Sequence, residues 1–282
     1  MSAMEDLDQL GHLREAIDGL DARLIELLNE RASLAQEIGR IKERAGRPVY
    51  VPGRAEQLMR RLVARSKGPL DQSAIRAIYR EIMSASLALE KNTLIAVEGC
   101  VAGLTHLAAK EHFGSSVRYA FYDHAAALYE AVASGAADCG VIPFGQEGPD
   151  GALLELLAEG NAAGKAFLCS QIVLGADQDG ESLPSRYLVL GAALNAPSGD
   201  DQTALLIHLT DQPGALAAAL EPFRKAGINV LSIHSRLARS SGLYLLLEVE
   251  GHAEEPLLLP ALESLKSTGM NPMVCGSYPR FH

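Results

Sequence analysis

Three basic residues on one uninterrupted stretch carry the first chemical signal: Arg14, Arg31 and Lys42. On a single straight helix, the eleven positions from Arg31 to Lys42 make close to three full turns, so both project from one face, ~16 Å apart. Two long basic arms can close on a small dianion in that gap. Arg14 lies ~42 Å from Lys42 along the same helix, too far to serve the same ligand within one chain. It could serve such a site only from a second, antiparallel subunit. Spacing alone leaves open the alternative of a solvated basic face.

The element that must position these cations runs from Asp6 to Arg47. Leu7, Leu10, Leu13, Ile17, Leu20, Leu24, Leu27, Leu28, Leu34, Ile38 and Ile41 recur at helical spacing, and no proline interrupts them. The pattern predicts one amphipathic helix of about 40 residues, or ~60 Å. So long a helix needs a partner to cover its apolar stripe, and an intertwined dimer would supply one. Pro48 and Pro52 end it. A second helix fits Arg54–Ser66, and Asp71 can cap a third that runs to about Lys91. Residues 1–92 therefore read as an all-α three-helix unit.

From Asn92 the pattern changes to short apolar runs alternating with helices: LIAVEG, THLAAKEHFG, VRYAFYD, HAAALYEAVASG, ADCGVIPF, GALLELLAEG, KAFLCSQIVLG and SRYLVLG. That alternation predicts a small α/β lobe over residues 93–194. His106, His112 and His124 are scattered on its helical stretches and read as surface or packing residues. Asn195–Asp201, rich in Pro, Gly, Ser and Asp, reads as a linker. Residues 202–282 follow a β-α-β-β-α-β order, the ferredoxin-like arrangement.

Composition narrows the partners. The 282-residue chain is 48% hydrophobic with a net charge of −10 and no basic block, which argues against nucleic acid and anionic membranes. No apolar run reaches the ~18–20 residues of a membrane span. The acidic N-terminus lacks the basic and apolar regions of a signal peptide. The four cysteines are scattered without a CxxC pair and read as reduced thiols, not a metal site, in a cytoplasmic protein.

LREAIDGLDARLIELLNERASLAQEIGRIKERAGRPVY resembles the first helix of the all-helical chorismate mutases. REIMSASLALEK resembles the end of their third helix, as found in fused chorismate mutase–prephenate dehydratases (P-proteins). The resemblance covers residues 7–91, with the basic residues in the family's register. It implies chorismate as substrate, no cofactor and no metal. Position by position, it implies that Arg14 reaches into the partner subunit's site and that Arg31 and Ser86 bind carboxylate. Arg54 would line the pocket. Lys42 would hydrogen-bond the ether oxygen of chorismate, with Glu90 on that oxygen's other side. Conversion of chorismate to prephenate is a pericyclic rearrangement. The site must hold a reactive conformer and stabilise charge on the breaking C–O bond, which fixed cations can do. Glu90 can donate there only when protonated, so activity is expected to fall as pH rises. The chain departs from the family between Val51 and Ala55: Ala55 replaces a glutamate that helps bind the substrate hydroxyl, and Gly53 loosens the second helix's start.

The middle segment resembles a prephenate dehydratase lobe with its motifs altered. Glu98–Leu104 stands where the Gly-Pro-Glu-Gly-Thr loop would be. Phe144-Gly145-Gln146-Glu147 follows Pro143 in place of the Pro-Ile-Glu-Asn-Ser signature. Ser185, Arg186 and Tyr187 resemble the Thr-Arg-Phe motif, and Ser185 could replace the catalytic threonine hydroxyl. Only about two dozen residues separate LAEG from SRYLVLG, where a dehydratase needs a second lobe. One lobe offers no cleft, so dehydratase activity is not expected.

The C-terminal segment resembles an ACT domain, which implies pairing into a homodimer or tetramer and a possible aromatic amino-acid effector. Pro213-Gly214-Ala215-Leu216 would open its first helix, whose amides can receive a carboxylate, with Ser235 and Arg236 nearby. His234 replaces the glutamate of the Glu-Ser-Arg-Pro motif. The leading expectation is a chorismate mutase with a truncated lobe and an ACT domain. A weakly bifunctional mutase–dehydratase, or a non-catalytic amino-acid sensor or partner protein on the same scaffold, are the alternatives.

Overall fold

A computed structural model describes residues 3–145, 151–162, 166–175, 185–238 and 242–280. Three helices come first: α1 (Ala3–Arg44), α2 (Pro52–Arg65) and α3 (Gln72–Glu90). Asp71 caps α3 by accepting from the Ala74 amide at 2.7 Å, as its sequence position predicts. α1 packs on α3 through its C-terminal third. Among its described residues only Ala35 and Gly39 are buried, while Leu7, Leu13, Leu20, Leu24 and Leu27 remain more than half exposed. Gly39 marks the crossing point: a methyl there would sit 2.5 Å from the Glu90 carbonyl oxygen. Only glycine permits this approach, and it brings the next turn of α1, with Lys42, opposite the end of α3.

The middle lobe contains β1 (Leu94–Glu98), α4 (Leu104–Phe113), β2 (Arg118–Tyr122), α5 (Ala125–Ala133), β3 (Cys139–Phe144), α6 (Gly151–Ala162), β4 (Phe167–Leu174) and β5 (Ser185–Gly191). Among the described residues its strands form a sheet of order β2-β1-β3-β5-β4. β1 runs parallel to β2 and β3, and β5 runs antiparallel to β3 and β4. Alternate residues feed two cores. Ile95, Val97, Val141 and Val189 pack under α4, with Tyr50 and Leu87 of the helical unit joining them. Ala96, Ile142, Leu188 and Leu190 face the other way. The helical unit is fastened to the lobe at Gly114, whose φ of +76° and close approach to the Ser84 side chain exclude a larger residue.

The last segment is β6 (Asp201–Leu209), α7 (Ala215–Ala226), β7 (Val230–Leu237), β8 (Leu243–Glu250), α8 (Leu259–Ser267) and β9 (Met273–Pro279). The antiparallel sheet order β7-β8-β6-β9 is ferredoxin-like. Leu205, Ile207, Leu245 and Leu247 pack under the two helices. Ala204, Leu206 and Leu246 join the lobe's second core instead. Both faces of β6 are covered, which explains why ALLIHL reads as a near-continuous apolar run. The 195–201 segment is less of a free linker than its composition suggests. Buried Asn195 donates to the carbonyls of Cys169 and Ser277, both at 2.8 Å, tying the lobe to β9. Among the described residues no helix is long and apolar enough to cross a membrane.

Candidate active site

A cavity of about 500 Å³ opens where the three helices meet the lobe, and Arg31, Lys42, Arg54, Ser86 and Glu90 all line it. Lys42 Nζ donates to Glu90 Oε2 and to the Val49 carbonyl, each at 2.7 Å. Arg31 Nη1 donates to the Ser86 hydroxyl, which in turn donates to the Ile82 carbonyl at 2.8 Å. The geometry therefore places the two cations three turns apart on α1 at one cavity, each steadied by a group on α3. Arg14 is exposed on the far part of α1 and does not line this cavity.

Such a set can bind and orient a small carboxylated molecule, and Lys42 can stabilise negative charge that develops beside it. Ala55, where the resemblance expects glutamate, lines the same cavity and adds no polar group to it. Gly53 is buried where α2 rests on the 195–201 segment, and a Cβ there would make only an ordinary contact with Ser198, at 3.4 Å. Lining residues that sequence reasoning missed include Tyr50, Arg76, His112 and Gln171. No local pattern marks them, because domain docking brings three of the four to the cavity. Tyr50 and His112 are joined at 2.5 Å between hydroxyl and Nε2. Burial pushes the His112 imidazole down to about 4 and the Tyr50 hydroxyl well above its ordinary value. Both are therefore neutral near pH 7.

Arg186, proposed from its motif, sits elsewhere. Its guanidinium forms a two-pronged ion pair with Glu248 of β8, with Nη1 donating to Oε2 at 2.7 Å. Ser232 and Tyr278 hydroxyls also donate to that carboxylate. Burial opposes ionisation of Glu248, but Arg186 and the two hydroxyls outweigh it and hold the carboxyl below its ordinary value. Arg186 also lies over the Phe144 ring at 4.5 Å, and His234 meets the same ring edge-on at 4.8 Å. Two positions that depart from family motifs, Phe144 and His234, are thus in contact across the lobe–ACT boundary. Ser185 begins β5, and its side chain lies outside the described residues; so do Gln146 and Glu147.

At the third candidate site, Gly214 takes a left-handed conformation before α7, which starts at Ala215 without a side-chain cap. Leu216 is half exposed. Arg236 donates to the Ser235 carbonyl at 3.1 Å. It pairs in register with Tyr244, and Tyr244 with His208. That register puts Ser235 and Arg236 at the same end of the sheet as Gly214.

Residues 13–91 match the chorismate mutase type II family and residues 203–267 the ACT domain family. The bifunctional chorismate mutase/prephenate dehydratase of Aquifex aeolicus is 29% identical, across 97% of this chain and 99% of its own. The chain is similar over nearly its whole length to this bifunctional enzyme. The enzyme of the same name from Pseudomonas aeruginosa is 27% identical, over 98% of this chain and 99% of its own. A prephenate dehydratase structure from Streptococcus mutans covers 67% of this chain and 100% of that one, with 25% identity and a TM-score of 0.55. The alignments to the two bifunctional enzymes run through the mutase, dehydratase-like and ACT segments of this chain. The alignment to the Aquifex relative spans 357 positions against 282 residues here, so at least about 75 positions fall opposite gaps in this chain.

Proposed function

We propose that this protein is a homodimeric chorismate mutase acting in aromatic amino-acid biosynthesis, with a dehydratase-like lobe that no longer catalyses. The observation that carries the reading is that Arg31, Lys42, Arg54, Ser86 and Glu90 converge on one cavity. Arg31, Arg54 and Ser86 take the carboxylates. Lys42 donates to the ether oxygen as the C–O bond breaks, with Glu90 on that oxygen's other side. Holding the reactive conformer lowers the entropic part of the barrier, and the fixed donors stabilise the developing charge. Arg14 of the partner completes the site, and the exposed stripe of α1 is the surface on which that partner lies. Ala55 leaves the substrate hydroxyl without its usual acceptor, so weak substrate binding is expected.

Three observations support an inactive dehydratase lobe. Among its described residues it has one five-stranded sheet; the chain is some 75 positions shorter than the alignment to its Aquifex relative; and Arg186 is committed to Glu248. The bifunctional names of the relatives favour the opposite reading. Incubation with chorismate decides between them. Prephenate should accumulate without enzymatic release of phenylpyruvate, and robust phenylpyruvate formation would sink this part of the reading. The α7 amides with Ser235 and Arg236 remain the candidate place for an aromatic amino acid, and His234, turned toward Phe144, weighs against strong binding there.

A further inference from the structure

One wall of the cavity comes from outside the helical unit. His112 and Phe113 of α4, and Ser170 to Val173 of β4, line it together with Lys42 and Glu90. The link between lobe and lysine is specific. Lys42 Nζ has three donors; one goes to Glu90 and one to the carbonyl of Val49, leaving one for a substrate oxygen. Val49 lies in the proline-flanked break between α1 and α2. The next residue, Tyr50, is inserted into the lobe. Its ring packs on Phe113 at 4.9 Å between centroids, its hydroxyl bonds His112, and it joins the core of Ile95, Val97 and Val141.

We propose that the α/β lobe acts as a scaffold for the mutase lysine, with Tyr50 as a positioning residue that fixes the Val49 carbonyl and through it Lys42. This rests on the chorismate mutase reading. The peptide between Val49 and Tyr50 is planar and rigid, so anchoring the Tyr50 ring restricts where the Val49 oxygen can point. That oxygen and Glu90 then hold a flexible four-carbon side chain in one place before substrate arrives. The lobe's retention despite its altered dehydratase motifs gains a physical reason: through Tyr50 it anchors the loop carrying Val49.

Steady-state kinetics of the full-length Tyr50→Ala protein test this. Lys42 acts on the breaking bond, whereas Arg31, Arg54 and Ser86 hold the carboxylates. The expected result is a kcat lowered roughly tenfold or more, the scale of an ångström-sized misplacement, with KM for chorismate within about twofold of wild type. Loss of interdomain packing alone would lower the melting temperature without this split. If Tyr50→Ala lacks the native circular dichroism spectrum, Tyr50→Leu is measured against the same two outcomes. An unchanged kcat, or a raised KM with kcat intact, overturns the inference while wild-type turnover keeps the mutase reading standing. A wild type without turnover removes both.

Discussion

Mixing Arg14→Ala subunits with Lys42→Ala subunits should restore chorismate turnover that neither variant shows alone. Each single variant removes a cation from every site, at a cost of roughly a hundredfold or more. In a two-fold symmetric heterodimer, one site receives both defects and the other receives neither. Random mixing places half of the subunits' sites in heterodimers, and half of those are intact. Activity should therefore recover to about a quarter of wild type. The physical basis lies on α1. Its far half carries Leu7, Leu13, Ile17, Leu20 and Leu24 in solvent, and covering each half-exposed side chain is worth ~1 kcal/mol. An antiparallel partner that covers them carries its own Arg14 toward the cavity of Lys42. Activity that stays at the single-variant level after co-expression and confirmed subunit exchange would show that Arg14 does not work in trans.

The second large effect is on stability. Glu248→Ala should lower the stability of the folded protein by about 3 kcal/mol at neutral pH, because it strands the Arg186 guanidinium between two domains. In a chain of this size that corresponds to a fall of roughly 6–12 °C in melting temperature. The pH dependence follows in sign. The Glu248 carboxyl is held below its ordinary value in the folded state, so its contribution is fully present above the ordinary carboxylate range. It is lost as the pH falls through the lowered value. Melting curves of wild type and variant should therefore lie apart at pH 7 and converge in acid. Identical melting temperatures at pH 7 would mean the ion pair does not hold lobe and ACT domain together.

Much of this was legible along the chain because the signals are local. The 3.6-residue period of α1, the prolines that end it, the cap at Asp71 and the β-α-β-β-α-β order all depend on neighbours in sequence. The register of Arg31 and Lys42 followed from the helix alone, and the cavity contains both. The hidden part belongs to docking between domains. Asn195 looked like linker and is a buried cross-tie. Arg186 looked like the remnant of a catalytic motif and is an interdomain ion pair. Gly53 looked like a weakened helix start and is buried against Ser198. His112, on a helical stretch with no chemical pattern, lines the cavity beside Tyr50. In each case the deciding partner lies more than 20 positions away, beyond the reach of periodicity or propensity.

The most direct test follows the disappearance of chorismate with wild-type protein and with Lys42→Ala, each shown to be folded and dimeric. Wild type should consume chorismate and release prephenate, and Lys42→Ala should be slower by roughly a hundredfold or more. Equal rates in the two proteins would contradict the assignment of this cavity as a chorismate mutase site.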